Sequence, residues 1–153
     1  MKWNFITILL MLFSASTEAE NTSNWSKGGA NYAGAPHSEA VSKKHIRINE
    51  IVSKIQFDLR NNISMYPEHL SDLFKKRNDS WKEYVETTCN TIGIMTGSGG
   101  SWPSYYTLKC ENNMADQRLF TLTNTSMCIN RHIRNKEKYD IAACLYQSFS
   151  VKY

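Results

Sequence analysis

The side chains that could do chemistry are four cysteines, four histidines and a few paired carboxylates. The cysteines, Cys89, Cys110, Cys128 and Cys144, all lie in the C-terminal half of the 153-residue chain. An even count in a small exported chain favours disulfides, with three pairings open. Pairing of sequence neighbours, Cys89–Cys110 and Cys128–Cys144, is preferred. Closing a loop of about 20 residues stabilises a fold by on the order of 3 kcal/mol in the chain-entropy model. No two cysteines stand at the two-to-four-residue spacing of a structural zinc site, which argues against a four-cysteine metal centre. Oxidised thiols also exclude a cysteine nucleophile.

The histidines, His37, His45, His69 and His132, are spread along the chain without metal-ligand spacing. Glu83 and Glu86 share a helix face, yet paired carboxylates do acid–base work only when their environments split their pKa values, and charged neighbours point to a solvated face. The sequence has no nucleophile elbow and no two-histidine metalloprotease helix. The glycines of TGSGGS lack the lysine of a phosphate loop. The expectation is a non-enzyme with no catalytic residue, no metal and no cofactor.

The first residues set the compartment. Met1-Lys2 is a basic start, Trp3–Phe13 is almost wholly apolar, and small residues follow. Residues 1–19 read as a secretory signal peptide cut at Ala19–Glu20, or alternatively after Ser16, too short for a membrane span. No cysteine follows the apolar run, so a lipid anchor is not expected. The net charge of +4 survives this cut, which removes one lysine and one glutamate. Export makes nucleic acid an unexpected partner; the location is periplasmic or secreted.

The elements follow from periodicity. Residues 20–37, rich in Gly, Ala, Asn and Ser, read as a flexible lead-in. Ser38 is a candidate helix cap. Val41, Ile48, Ile51, Val52, Ile55, Leu59 and Ile63 then recur at helical spacing, to about Met65 before Pro67. A second helical segment, Glu68–Thr88, carries Leu70, Leu73, Phe74, Trp81, Tyr84 and Val85 as its apolar stripe. Thr91–Ser104 is a loop with Ile92, Ile94 and Met95 tucked beneath it. A third segment runs from Tyr105 to about Thr123, and in a final segment, Asn130–Gln147, Ile133, Ile141, Ala142 and Leu145 suggest a short helix. The closing SFSVKY is expected to be extended or frayed. The fold class is all-α, a small antiparallel helical bundle or hairpin stapled by disulfides. The domain lies at 38–125, with a C-terminal extension, 126–153, carrying the second disulfide.

The hairpin presents a surface. Ser101, Trp102, Tyr105 and Tyr106 stand on a loop whose base the first disulfide holds. Trp and Tyr anchor binding hot spots, and a held loop costs less to order on binding. These four are the candidate partner contacts; Trp81, Tyr84 and Arg118 are structural candidates, with Arg118 pairing to a carboxylate or a loop carbonyl.

Trp81, Tyr84 and Cys89, then Gly99-Gly100-Ser101, then Cys110, Arg118 and Leu122 follow one another in a spaced pattern. In that order and spacing the chain resembles the lysozyme inhibitor LprI-like family of exported bacterial proteins. Ile48-Asn49-Glu50-Ile51-Val52 is similar to the family's Leu-Asn-x-Val-Tyr helix, so the resemblance covers about 45 to 122. Departures are His45 for an aspartate, Asn78 for a glutamine and Val85 for an arginine. The family's N-terminal cysteines are absent, and Cys128 and Cys144 lie outside the pattern. The resemblance implies an exported binding protein that inhibits a lysozyme-like peptidoglycan hydrolase, in one form as an immunity protein. The alternative is a non-catalytic envelope adaptor. A basic animal-type lysozyme would be repelled by a +4 partner unless Glu68, Asp72, Asp79, Glu83 and Glu86 form an acidic patch.

Overall fold

A computed structural model of the chain describes residues 26–63, 67–97, 99–137 and 141–149. The expected signal peptide, the start of the lead-in and the last four residues lie outside them. Four helices follow in order: α1 (Ala30–Asn62), α2 (Pro67–Met95), α3 (Trp102–Asn135) and α4 (Cys144–Phe149). There is no strand among the described residues. The all-α, disulfide-stapled architecture is as the sequence implies.

Cross-helix contacts set the directions. Arg60 reaches Asp72 at 3.2 Å across the α1–α2 turn, so these helices run antiparallel. Lys44 bonds Asn112 at 2.7 Å and Lys54 bonds Asn130 at 2.9 Å, so α1 and α3 run parallel. The α2–α3 hairpin is closed by Cys89–Cys110, and Cys128–Cys144 ties α4 to α3.

A spacing of seven builds the core. Val41, Ile48 and Ile55 with Val52 and Leu59 on α1, and Ala115, Leu122 and Ile129 on α3, are all buried. That repeat keeps one seam turned inward along long helices crossing at a shallow angle. Each fully buried Ile or Leu contributes roughly 1.5–3 kcal/mol. On α2 the repeat is partly polar: Ser71, Asn78 and Val85 are the buried residues seven apart.

The helices are longer than periodicity implies. Helix α1 begins at Ala30 rather than Ser38, so residues 30–37 of the expected lead-in are helical despite Pro36. Packing overrides weak propensity there. Gly34 lies against Leu108, and the His37 ring meets Tyr105 edge-on at 5.6 Å. Helix α3 begins at Trp102 because Pro103 is tolerated in a first turn. It continues past Thr123 to Asn135 and so carries Cys128. Lys136, in the left-handed region, ends it: its N–H bonds Ile133 O at 3.2 Å and that of Glu137 bonds His132 O at 2.9 Å. Ser148 and Phe149, expected to be extended or frayed, are helical.

Two positions of the expected apolar stripe of α2 are solvent-facing: Tyr84 is 60% exposed and Leu73 49% exposed. Tyr84 is therefore not a core anchor. Trp81 is partly buried and packs against the core.

Arg118 has a different partner from the one expected. It is buried on α3 and donates to Ser148 O at 3.2 Å and Asn78 Oδ1 at 3.2 Å, so it holds α4 rather than the hairpin loop. Its guanidinium sits 5.4 Å from the Trp81 ring centroid, within cation–π range. Arg77 donates to the same Ser148 carbonyl at 3.2 Å. Burial, and then the charge of Arg77, lower Arg118 to about 10, which leaves it protonated at neutral pH. With Ile141 and Leu145 in the core, these bonds seat α4 on the α2–α3 face.

Candidate functional site

The end of the hairpin opposite the α1–α2 turn gathers the aromatic residues. Helix α2 runs through the expected loop to Met95, closed by Thr96, which donates from Oγ1 to Gly93 O at 2.7 Å, and by Gly97 in the left-handed region. Ile92, Ile94 and Met95 are consequently not tucked inside. Ile94 is 75% and Met95 78% exposed, because the helix turns them outward.

Trp102, Tyr105 and Tyr106 stand on the first turns of α3, not on a loop. A helical spacing of three and four places them on one face. Trp102 meets Tyr105 edge-on at 5.4 Å, Tyr105 meets Tyr106 at 5.1 Å, and Trp102 lies tilted on Tyr106 at 6.2 Å. His37 of α1 extends the cluster through Tyr105. The rings brace one another, and Trp102 keeps 37% of its surface in solvent. Ser101 is the N-cap residue but makes no side-chain cap bond; its carbonyl accepts from Tyr105 N–H at 3.3 Å.

The base of this end is held twice. Cys89–Cys110 crosses it, with Met114 Sδ 3.5 Å from Cys89 Sγ. Beyond the disulfide Gly93 is buried against α3, where a Cβ would collide with Thr107 Oγ1 and the Pro103 carbonyl. Beside the rings, a groove of about 240 Å³ between the starts of α1 and α3 is lined by small residues such as Gly34, Ser38 and Ser104. Neither helix has an acidic residue in its first turn, so both positive dipole ends face this groove's end of the molecule unopposed.

Two of the five carboxylates that could form an acidic patch on α2, Asp72 and Asp79, are paired with cations. Asp72 pairs with Arg60, and Asp79 pairs with Lys75 at 2.5 Å and faces Lys82 at 4.0 Å. Glu83 lines a shallow hollow with Lys75 and Lys76. Salt-bridged lysines one turn away were legible in the sequence as charge alternation.

A carboxylate perturbed mainly by burial is Glu111, which is not one of the Glu83–Glu86 pair expected on a solvated face. Burial, and then the charge of Glu86, raise it above its ordinary value. Burial, and then Lys82, lower His45, which sits 6.2 Å from the Trp81 ring.

Among the described residues, one group has the makings of a ligand set: a ring nitrogen of His132 and the sulfurs of Cys128 and Cys144 lie within 4.8 Å of one another. Cysteine-only spacing overlooks it. The signal was Cys128-x3-His132, two ligand types one helical turn apart.

No helix among the described residues is long and apolar enough to cross a membrane. Comparison with family models, with curated proteins and with solved structures gives no match.

Proposed function

We propose that the chain is an exported, non-catalytic binding protein that engages a protein partner through the aromatic end of its α2–α3 hairpin. The observation that carries this is the braced cluster of Trp102, Tyr105 and Tyr106, lying at the same end as exposed Ile94 and Met95. Such an end offers large apolar contact area with little conformational freedom left to lose. Two disulfides fit an oxidising compartment.

The proposed partner is a lysozyme-like peptidoglycan hydrolase. That part rests on the resemblance of Trp81, Cys89, Cys110 and Arg118 to the LprI-like pattern. The net charge of +4 opposes a strongly basic lysozyme, and pairing of Asp72 and Asp79 leaves fewer free carboxylates on α2 to offset it, so charge favours a less basic hydrolase, as in a toxin–immunity pair.

The test is a lysis assay in which the purified oxidised chain is titrated against animal-type and bacterial peptidoglycan hydrolases, at low and moderate salt. Stoichiometric inhibition of a hydrolase is expected. Silence across the panel from a protein with a cooperative melt would overturn the hydrolase reading and favour an envelope adaptor.

A further inference from the structure

Cys128 and His132 stand four residues apart and so share a face of α3. The second disulfide brings Cys144 of α4 against that face. Glu137 completes the group: its Oε2 lies 2.8 Å from His132 Nδ1. The left-handed turn at Lys136 holds Glu137 there, through the Glu137 N–H bond to His132 O. A carboxylate on one ring nitrogen is how metal sites orient a histidine ligand and fix its tautomer, leaving the lone pair on the other nitrogen. A disulfide needs no such histidine. The other disulfide has a thioether beside it, Met114, a poor zinc ligand.

We propose that Cys128, His132 and Cys144 form a redox-gated zinc site. The disulfide closes it in the oxidised chain, and reduction opens it to Zn²⁺. Cys128 is the half-buried residue of the pair and lines an open groove of about 720 Å³, whereas Cys144 is buried. A thiolate of an external dithiol attacks Cys128 Sγ and expels the Cys144 thiolate. The second thiol of the reductant then resolves the mixed disulfide and expels the Cys128 thiolate. The reductant leaves as a disulfide, having supplied two electrons, and its two protons go to the cysteine pair or to solvent. Zn²⁺ binds both thiolates and the neutral imidazole, releasing any thiol protons, and water from the groove completes a tetrahedron. The sulfurs must part to roughly 3.8 Å in that geometry, which rotation about the cysteine side chains allows at a Cα separation of 5.7 Å. Zinc thereby replaces the covalent tie between α3 and α4.

The experiment uses the full chain, reduced without oxygen by a dithiol, with Zn²⁺ titrated in and helicity followed throughout. Cysteine alkylation is mapped by peptide mass, and Co²⁺ serves as a coloured substitute. One metal per chain is expected after reduction and none before. Zinc should shield Cys128 and Cys144 but not Cys89 and Cys110. His132→Ala and Glu137→Gln should each weaken binding by roughly tenfold or more. Equal zinc uptake by the oxidised chain would overturn the proposal. So would equal alkylation of all four cysteines with zinc present, whether or not the helices survive reduction, or full affinity in His132→Ala.

Discussion

Glu111 is a half-buried carboxylate on α3 whose proton is held more tightly in the folded chain than in the unfolded one. Burial is the larger cause and the Glu86 charge the smaller. The stability it contributes is therefore present below the ordinary value of 4.5 and is lost as pH rises through the raised value. Replacing Glu111 with Gln, which imitates the protonated form, should raise the melting temperature at pH 7 and leave it unchanged near pH 4. A lower melting temperature at pH 7 would show that the carboxylate is stabilised by a partner instead. Individual residue roles were the least legible part of the sequence. Arg118 was recognisable as structural, but its partners, Asn78 and the Ser148 carbonyl, stand 40 and 30 residues away and depend on where α4 docks. Tyr84 fits a helical stripe by spacing, yet one step of rotation turns it to solvent.

At the scale of the element, the hairpin end depends on how closely α2 and α3 approach. Gly93 sets that distance, since the Pro103 carbonyl and Thr107 Oγ1 occupy the space a methyl group would take. Gly93→Ala should destabilise the protein by about 1–3 kcal/mol, read by denaturant unfolding, because backbone must shift to admit it. An unchanged midpoint would mean the helices stand further apart. Helix interiors were legible here: Val41 to Leu59 repeat at the period that buries them, and Pro67 begins α2 after a break. Helix ends were not. Residues 30–37 contain Gly34 and Pro36, and their helix exists because Leu108 and Tyr105 support it from far along the chain. Likewise Ser101-Trp102-Pro103 reads as a loop, although proline suits a first turn as well as it suits a bend.

The described residues form a three-helix bundle with a fourth short helix clipped onto one face, and the two disulfides divide the work. One holds the aromatic end and the other holds α4. Neighbour pairing of the cysteines was legible because each pair spans a single connection between helices. The site was legible in part: the residue types at 102, 105 and 106 marked the hairpin end, while their placement on a helix and the exposure of Ile94 and Met95 emerged only from the fold. The central claim is that Trp102 serves binding more than folding. The most direct measurement compares wild type and Trp102→Ala, both oxidised, for inhibition of the hydrolase that the lysis panel identifies, alongside their thermal melts. The loss of stability should be about 1 kcal/mol or less, the value of one partly exposed aromatic pairing. Binding should weaken by at least about 2 kcal/mol, on the order of thirtyfold. A melt that collapses with the substitution would make Trp102 part of the core, and unchanged inhibition would place the binding surface elsewhere; either result contradicts the account.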